Sequence, residues 1–309
     1  MKWYYILLIT LISIIVLFLL VCYICYRKTF YSKNKKLINR QNLMPSNVYL
    51  EYNDVIQKDI EDVKQLTYID LSIKSFDGLI LKGKYYEKEP GYPIEIMFHG
   101  YKGSGLRDLS TGVKRAFLCN HNALIVDQRA SGESEGKVIT FGIKERIDCL
   151  SWINHIIEVF GPEVKVILTG ISMGAATVLM ASSFDLPNNV IGIISDCSYN
   201  KPSDIIKKVI GSMNLPINIF YPFILISAKI FGKFNLEETS PFIEVQKSKV
   251  PIIFFHGGND IFVPCAMSEK LYDACNNTKK IVKINNAGHG LSYLVDPEKY
   301  LKELRDFFI

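Results

Sequence analysis

Three residues have the types and the chain order that nucleophilic catalysis by a serine requires. Ser172 lies in the segment GISMG, between an apolar run and a helix-forming run of small residues. A serine on such a strand–turn–helix connection presents its hydroxyl at the edge of a sheet. A serine hydroxyl is a weak nucleophile, so it needs a base, and the base needs an orienting acid. Asp260, in GGND, and His289, in NAGHG, follow in the order acid, then base. The sequence therefore predicts an acyl-transfer site built on these three side chains.

Each of these residues has a rival in the sequence. A second G-x-S-x-G match contains Ser134, but no helical run follows it and a glutamate stands on each side of it. Asp196 also ends an apolar run and is the alternative acid, while His256 is the other histidine downstream of the nucleophile. We expect Ser134 to have no catalytic role, and we keep Asp196 open as a replacement for the predicted acid.

Acyl transfer also needs backbone N–H donors for the oxygen that becomes negative in the transition state. We expect one donor to be the N–H of Met173, directly after the nucleophile. The other is expected from Tyr101, in the glycine-rich loop after the apolar run IEIMF. That loop lacks the Lys-Ser/Thr ending of a phosphate-binding loop. The sequence contains no HExxH segment or other tight cluster of metal ligands, so we expect neither a metal nor another cofactor.

The elements that must position these residues are strands of a mostly parallel sheet. Apolar runs alternate with amphipathic helical segments, a pattern typical of an α/β sheet covered by helices on both faces. Chemistry in such sheets is expected at the carboxyl ends of the strands. Upstream, the turn FDG predicts a hairpin, and residues from about 200 to 245 are expected to form a small helical cap. The predicted parallel strands are IEIMFHG, ALIVDQR, VKVILTG, VIGIISD, VPIIFFHGG and KIVKINNAG.

The amino-terminal segment has the composition of a membrane anchor. Residues 3–26 contain no charged side chain, and at about 1.5 Å per residue such a helix can span a bilayer. A cleaved signal or lipoprotein peptide is the alternative, although the apolar stretch is long for one. We therefore predict a transmembrane anchor over 1–28, a basic tether over 29–53 and a catalytic domain over 54–309, which begins with a short amphipathic helix at 54–66.

The charge distribution excludes nucleic acid as a partner and indicates an orientation. The chain carries a formal charge of +5, yet its first 40 residues contain seven basic side chains and no acid. The remainder is therefore slightly acidic and lacks the basic surface that nucleic-acid binding requires. Because most of the basic residues follow the apolar segment, the positive-inside bias places the catalytic domain on the cytoplasmic side of a single-pass membrane protein.

From about residue 67 to 309 the sequence resembles the α/β-hydrolase superfamily. The resemblance is carried by His99-Gly100, by DQRASGES from Asp127, by GISMG, by GGND and by GHG at the end of the last predicted strand. It is most similar to membrane-anchored bacterial hydrolases related to the serine-aminopeptidase and acylaminoacyl-peptidase groups. The resemblance implies an α/β-hydrolase fold, with Ser172 as nucleophile, Asp260 as acid, His289 as base, and Tyr101 and Met173 as oxyanion donors.

Together these observations predict a serine hydrolase that cleaves a carboxylic ester through an acyl-enzyme. The apolar segment 215–226 within the predicted cap favours a lipophilic acyl ester or thioester. A membrane-anchored peptidase of the same fold is one alternative, and a tethered binding domain without catalysis is another. A fold hosts many chemistries, so the choice among them has to come from the site.

Overall fold

The computed structural model describes residues 3–32 and 47–308 of the chain. Within these residues, eight strands form one sheet, in the order β1-β2-β4-β3-β5-β6-β7-β8. The first two strands are an antiparallel hairpin, the second is also antiparallel to the fourth, and the third to the eighth run parallel. The predicted hairpin and parallel sheet are thus confirmed. The strands are β1 (Ile69–Lys74), β2 (Ile80–Tyr86), β3 (Ile94–Phe98), β4 (Asn122–Val126), β5 (Val166–Ile171), β6 (Val190–Asp196), β7 (Ile252–Gly257) and β8 (Lys279–Ile284).

Helices cover both faces of this sheet. Side chains of a strand alternate between the two faces, so Ile96 of β3 belongs to the same buried cluster as Trp152, whereas Met97 packs with Val113 on the other face. Because both faces are buried, the parallel strands consist almost wholly of apolar residues. The helices are α1 (Trp3–Thr29), α2 (Asn47–Lys64), α3 (Gly105–Leu118), α4 (Glu145–Phe160), α5 (Met173–Ala181), α6 (Pro202–Ser212), α7 (Ile217–Ile230), α8 (Pro241–Glu244), α9 (Ala266–Ala274), α10 (Ser292–Val295) and α11 (Pro297–Phe308).

The cap consists of the helices between β6 and β7. Helices α6 and α7, which we call the cap helices, lie within the predicted range of about 200–245. Their inner faces bury Ile205, Ile206 and Ile224 in a cluster that also contains Met173, the residue after the predicted nucleophile. The cap therefore packs over the carboxyl ends of the strands.

Helix α1 has two parts with different surroundings. Within the described residues it is the one helix long and apolar enough to cross a membrane, and most of its apolar window is exposed. Its last turns are different, because Cys22, Cys25 and Tyr26 are buried, as is Phe30 directly after the helix. Cys25, Tyr26 and Phe30 pack in the same buried cluster as the cap residues, so the predicted anchor is joined to the predicted catalytic domain by contacts as well as by the chain.

Helix α2 begins at Asn47, earlier than the predicted start at 54. The amphipathic pattern continues upstream, since Tyr52 packs in the same cluster as Ile56, Ile60 and Leu291. Residues 47–53 of the predicted tether are therefore helical, whereas its part at 33–46 lies outside the described residues. Tyr52, Ile56 and Ile60 follow each other at helical spacing and pack against the same surface, which explains why α2 is longer than predicted.

A buried ion cluster joins β3 to α3. Arg115 donates to both carboxylate oxygens of Glu95, at 2.9 and 2.5 Å, and Thr169 donates to Glu95 at 2.8 Å. His121 Nδ1 lies 2.6 Å from the same carboxylate. Burial opposes ionisation, but Arg115 and His121 lower the pKa of Glu95 to about 2. The carboxylate is therefore charged at neutral pH and neutralises a guanidinium that would otherwise be buried alone.

Glu95→Gln removes this charge and leaves Arg115 buried without a counter-ion. We expect the free energy of unfolding to fall by about 3 kcal/mol, because breaking a buried pair leaves an uncompensated charge. Urea denaturation followed by circular dichroism measures the change. Asp185→Asn is the matched control, since its exposed pair with Lys249 should contribute less than about 1 kcal/mol. Equal effects of the two substitutions would contradict the prediction.

Candidate active site

Ser172 occupies a sharp turn between β5 and α5. Its φ is +56°, a conformation that costs energy in a residue with a side chain and persists only where the surroundings enforce it. Both glycines of the turn are required by space: a Cβ on Gly170 would lie 2.2 Å from the Gly174 carbonyl oxygen, and one on Gly174 would lie 1.9 Å from that of Phe98. This close packing of α5 on β5 and β3 holds Ser172 at the edge of the sheet.

The structure brings Ser172, His289 and Asp260 into one hydrogen-bonded chain. His289 Nε2 lies 2.8 Å from Ser172 Oγ, and His289 Nδ1 lies 2.6 Å from Asp260 Oδ2. Because the carboxylate can only accept, Nδ1 carries the proton and Nε2 is free to accept the serine proton. The ring of Phe262 packs edge-on against His289, with the ring centroids 5.1 Å apart. This is the geometry that general-base activation of a serine requires.

Asp260 is held in the loop after β7 by backbone and side-chain donors. Its Oδ1 accepts the N–H groups of Phe262 and Val263 at 2.9 and 2.8 Å. Its Oδ2 also lies 3.2 Å from His256 Nε2. Burial opposes ionisation, yet the hydrogen bonds from His256 and His289 hold the pKa of Asp260 well below its usual range. Asp260 is therefore a fixed anion beside the imidazole of His289.

His256, the other downstream histidine, faces Asp260 and the chain around it. Its Nε2 lies 2.8 Å from the Val263 carbonyl oxygen and its Nδ1 lies 2.7 Å from Ser268 Oγ. Since a carbonyl only accepts, Nε2 is protonated and can also donate to Asp260. The side chain is fully buried. His256 thus acts as a positioning residue for Asp260, a contact for which the sequence offered no local signal.

Asp196, the rival acid, is engaged elsewhere. It accepts hydrogen bonds from Ser292 Oγ at 3.1 Å and from the Tyr300 hydroxyl at 3.4 Å. Burial raises the pKa of Asp196 to about 6, and His256 and Ser292 only partly offset it. An acid that holds its proton so readily is a weaker partner for an imidazolium than Asp260.

Ser134, the second G-x-S-x-G serine, has no exposed surface. Its hydroxyl donates to the Asp127 carbonyl at 2.5 Å and accepts the N–H of Lys82 at 2.8 Å. These bonds tie the loop after β4 to the hairpin strand β2. The contrast with Ser172 agrees with the expectation that only one of the two matches is a nucleophile.

The predicted oxyanion donors lie on two segments beside Ser172. Met173 is the first residue of α5, where N–H groups have no acceptor within the helix. Tyr101 follows Gly100, and a Cβ added to Gly100 would lie 3.7 Å from the Cβ of Ser172. Asp108 accepts the Gly100 N–H at 3.3 Å and is itself held by Arg107 Nε at 2.7 Å. The loop that carries Tyr101 is therefore fixed against the nucleophile, although its role in catalysis stays a prediction.

A cavity of about 550 Å³ opens beside Ser172 and His289. That volume suits a small organic ligand. Most of the lining side chains are apolar, and they come from the cap helices, from the loops after the strands and from the last turns of α1. Sequence reasoning anticipated the cap but not α1. The α1 residues in the wall are Ile24, Cys25, Lys28 and Thr29.

The buried Cys197 is another neighbour of the site that sequence reasoning missed. Its Sγ lies 3.9 Å from His289 Nε2, and with Asp260 and His289 it forms a compact group of possible metal ligands. Both nitrogens of His289 already have partners at hydrogen-bond distance, in Ser172 and Asp260. A metal at this place would have to displace them, so the residues fit a proton relay better than a metal centre.

Comparison with known proteins supports hydrolase activity. Residues 143–291, which include all three predicted triad residues, match the family model described as "Serine hydrolase (FSH1)". The uncharacterized protein YqkD of Bacillus subtilis is 24% identical over 249 residues, covering 80% of this chain and 81% of its own. Protein bem46 of Schizosaccharomyces pombe is 25% identical over 198 residues, covering 63% of this chain and 60% of its own.

Solved structures share the fold. The Pyrococcus furiosus esterase Pf2001 superposes with a TM-score of 0.61 at 21% identity, covering 81% of this chain and 92% of the esterase. The chain has the α/β-hydrolase fold. The match to an acylaminoacyl peptidase of Pyrococcus horikoshii, with a TM-score of 0.56 at 18% identity, covers 83% of this chain and 43% of the peptidase. At such identities the likeness concerns the fold, and the α/β-hydrolase fold predicted from the sequence is confirmed.

The two candidate acids of this chain can be separated by mutation. Asp260→Asn removes the acceptor that fixes the His289 tautomer, and we expect kcat to fall about 10³- to 10⁴-fold on any ester that the wild type cleaves. Asp196→Asn should lower kcat less than about tenfold, because Ser292 and Tyr300 are its partners. Steady-state kinetics of both variants, with circular dichroism to verify folding, make the comparison. A larger loss for Asp196→Asn would assign the acid to β6.

Proposed function

We propose that this chain is a membrane-anchored serine hydrolase that cleaves carboxylic esters with lipophilic acyl groups. The observation that carries the proposal is the hydrogen-bonded chain from Ser172 through His289 to Asp260, which ends at an apolar cavity. The serine hydrolase family model and the esterase and peptidase neighbours support hydrolase activity. The ester specificity is our inference from the cavity.

The chemistry follows from the positions of the protons. His289 Nε2 accepts the proton of Ser172 as Oγ attacks the acyl carbonyl, and Asp260 stabilises the imidazolium that forms. The N–H groups of Tyr101 and Met173 stabilise the negative oxygen of the tetrahedral intermediate. The imidazolium then gives its proton to the departing alcohol, leaving an acyl-enzyme. Water then attacks the acyl-enzyme while the same imidazole takes its proton. The imidazolium gives that proton to Ser172 Oγ as the bond between Oγ and the acyl group breaks, which releases the acid and restores Ser172.

The cavity favours an acyl chain over a peptide. A peptide presents N–H and C=O groups that need polar partners when they are buried, whereas the cap contributes Ile205, Ile206 and Phe220 to the lining. Burying apolar surface against such residues is favourable at about 25 cal/mol per Å². A peptidase remains the second candidate, because one of the structural neighbours is an acylaminoacyl peptidase.

We propose further that α1 stays attached and anchors the protein in a membrane. The helix is 27 residues long, which gives about 40 Å at 1.5 Å per residue. Its buried end packs on the catalytic domain, which disfavours removal as a signal peptide. Arg27, Lys28 and the basic residues that follow them lie on the side of α1 that leads into the catalytic domain. The positive-inside bias therefore assigns the catalytic domain to the cytoplasm.

The nucleophile assignment is tested with a fluorophosphonate probe, which labels activated serines. The wild type should be labelled, and Ser172→Ala should lose labelling and about three or more orders of magnitude of turnover without unfolding. Ser134→Ala is the matched control from the second G-x-S-x-G segment and should still be labelled. An unlabelled wild type would favour the tethered binding domain, and labelling of Ser172→Ala would contradict the assignment.

The substrate class is tested with a series of p-nitrophenyl esters and aminoacyl p-nitroanilides. Each methylene buried in the cavity can contribute up to about 0.8 kcal/mol to transition-state binding, so kcat/KM should rise from acetyl to octanoyl. The anilides should be poor substrates. A flat series or a preference for acetyl would exclude a lipophilic pocket, and faster cleavage of the anilides would favour the peptidase.

A further inference from the structure

The last turns of α1 form part of the wall of the substrate cavity. Ile24 and Cys25 line the cavity together with Ser172 and His289. Most of α1 further upstream is exposed, including Ile15 at 48%. One helix is therefore both the proposed membrane anchor and a boundary of the proposed active site.

Hydrogen bonds attach the end of α1 to the loop that carries a predicted oxyanion donor. The Tyr101 hydroxyl donates to the Thr29 carbonyl at 2.7 Å, and Lys102 Nζ donates to the Lys28 carbonyl at 3.0 Å. Carbonyls at the end of a helix lack partners within it, so these side chains satisfy them. The position of α1 is thereby fixed relative to the nucleophile.

Aromatic contacts align α1 with the cap helix α7. Phe18 packs on Phe223 with ring centroids 5.3 Å apart, and Tyr23 packs on Phe231 at 5.4 Å. Both residue numbers increase in the same direction, so the two helices run parallel. Phe18 lies eleven residues before the end of α1, which corresponds to about 16 Å along its axis. Phe223, in the middle of α7, therefore lies beside the apolar segment of α1, and because the helices run parallel the beginning of α7 lies further from the end of α1.

The cap exposes several apolar side chains near the beginning of α7. Met213, between the cap helices, is 63% exposed and also lines the cavity, and Ile219 in the first turn of α7 is 56% exposed. In water these side chains would form an unfavourable patch beside the exposed apolar surface of α1. In a bilayer that holds α1, the same residues contact hydrocarbon.

We propose that the active site takes the acyl chain of a membrane lipid ester directly from the bilayer leaflet next to the catalytic domain, with Ile24 forming the wall along which the acyl chain lies. The proposal rests on the proposed ester hydrolase function and names its substrate class. The chain passes from hydrocarbon into an apolar cavity without crossing water, and the ester carbonyl reaches Ser172 at the end of the cavity. The anchor is then a specificity element of the site.

The wall is tested in the full-length protein in phosphatidylcholine nanodiscs. Ile24→Trp adds bulk to the cavity and should lower the ratio of kcat/KM for octanoyl to acetyl p-nitrophenyl ester about tenfold. Ile15→Trp is the matched control, because nine residues at 100° each place it on the opposite face of the same helix. It should change the ratio less than about twofold. Equal ratios in the two variants would overturn the role of α1 in the wall.

Access from the bilayer is tested with oleoyl glycerol incorporated in the same nanodiscs and with soluble p-nitrophenyl acetate. Ile219→Asp places a charge in the surface that contacts hydrocarbon and should slow cleavage of the embedded ester about fivefold or more relative to the soluble one. The control Ile243→Asp changes an exposed isoleucine of α8 and should leave the ratio unchanged. An unchanged ratio in Ile219→Asp would overturn lateral access.

Failure of the proposed function gives a different result. If the wild type neither cleaves p-nitrophenyl acetate nor reacts with the fluorophosphonate probe, the hydrolase assignment is wrong, and the lipid proposal is wrong with it. If the wild type cleaves the acetate and reacts with the probe, but Ile24→Trp and Ile219→Asp behave as their controls, only the lipid proposal is wrong.

Discussion

The packing of α5 on β3 is the constraint on which the site depends. Gly174 lies so close to the Phe98 carbonyl that no side chain fits between them, and Ser172, two residues earlier, has a positive φ. The turn then directs the hydroxyl out of the sheet, towards the loops after β7 and β8. The loop of Tyr101 follows directly after β3, so the same contact brings the predicted oxyanion donor beside the nucleophile.

The second requirement is that one carboxylate orient the imidazole without holding a proton itself. Asp260 meets it because two backbone N–H groups occupy one oxygen, while His256 and His289 lie against the other. With Nδ1 of His289 committed to that carboxylate, Nε2 can only accept from Ser172. Asp196 is equally buried but has two neutral hydroxyl partners, so burial keeps it protonated at higher pH. Two similar acids at neighbouring strand ends thus differ through their partners.

Features that depend on a local residue pattern could be predicted from the sequence, whereas features that depend on contacts between distant segments could not. Strands that are buried on both faces appear in the sequence as continuous apolar runs, so the parallel sheet could be predicted. The strained turn at Ser172 requires glycines on both sides, and the order of Ser172, Asp260 and His289 at the ends of apolar runs predicted their grouping. The contact of His256 with Asp260 and the place of Ile24 in the cavity depend on how separate elements pack. The prediction of the start of α2 at residue 54 is wrong. Tyr52 extends the apolar face of the helix, but this is recognisable only from its packing in the cluster that contains Leu291.

The packing of α1 also bears on whether the segment is kept. Removal of α1 as a signal peptide would expose the partners of Cys25 and Tyr26, open one wall of the cavity, and leave Tyr101 and Lys102 without the carbonyls to which they donate. A leader that is cleaved off cannot contribute to a binding site in the mature protein. A permanent anchor that contacts the cap and the loop of Tyr101 can hold both in position. The contacts of α1 with the rest of the chain therefore favour its retention. If the retained helix is the membrane anchor that we propose, the same contacts connect the membrane with the proposed substrate cavity.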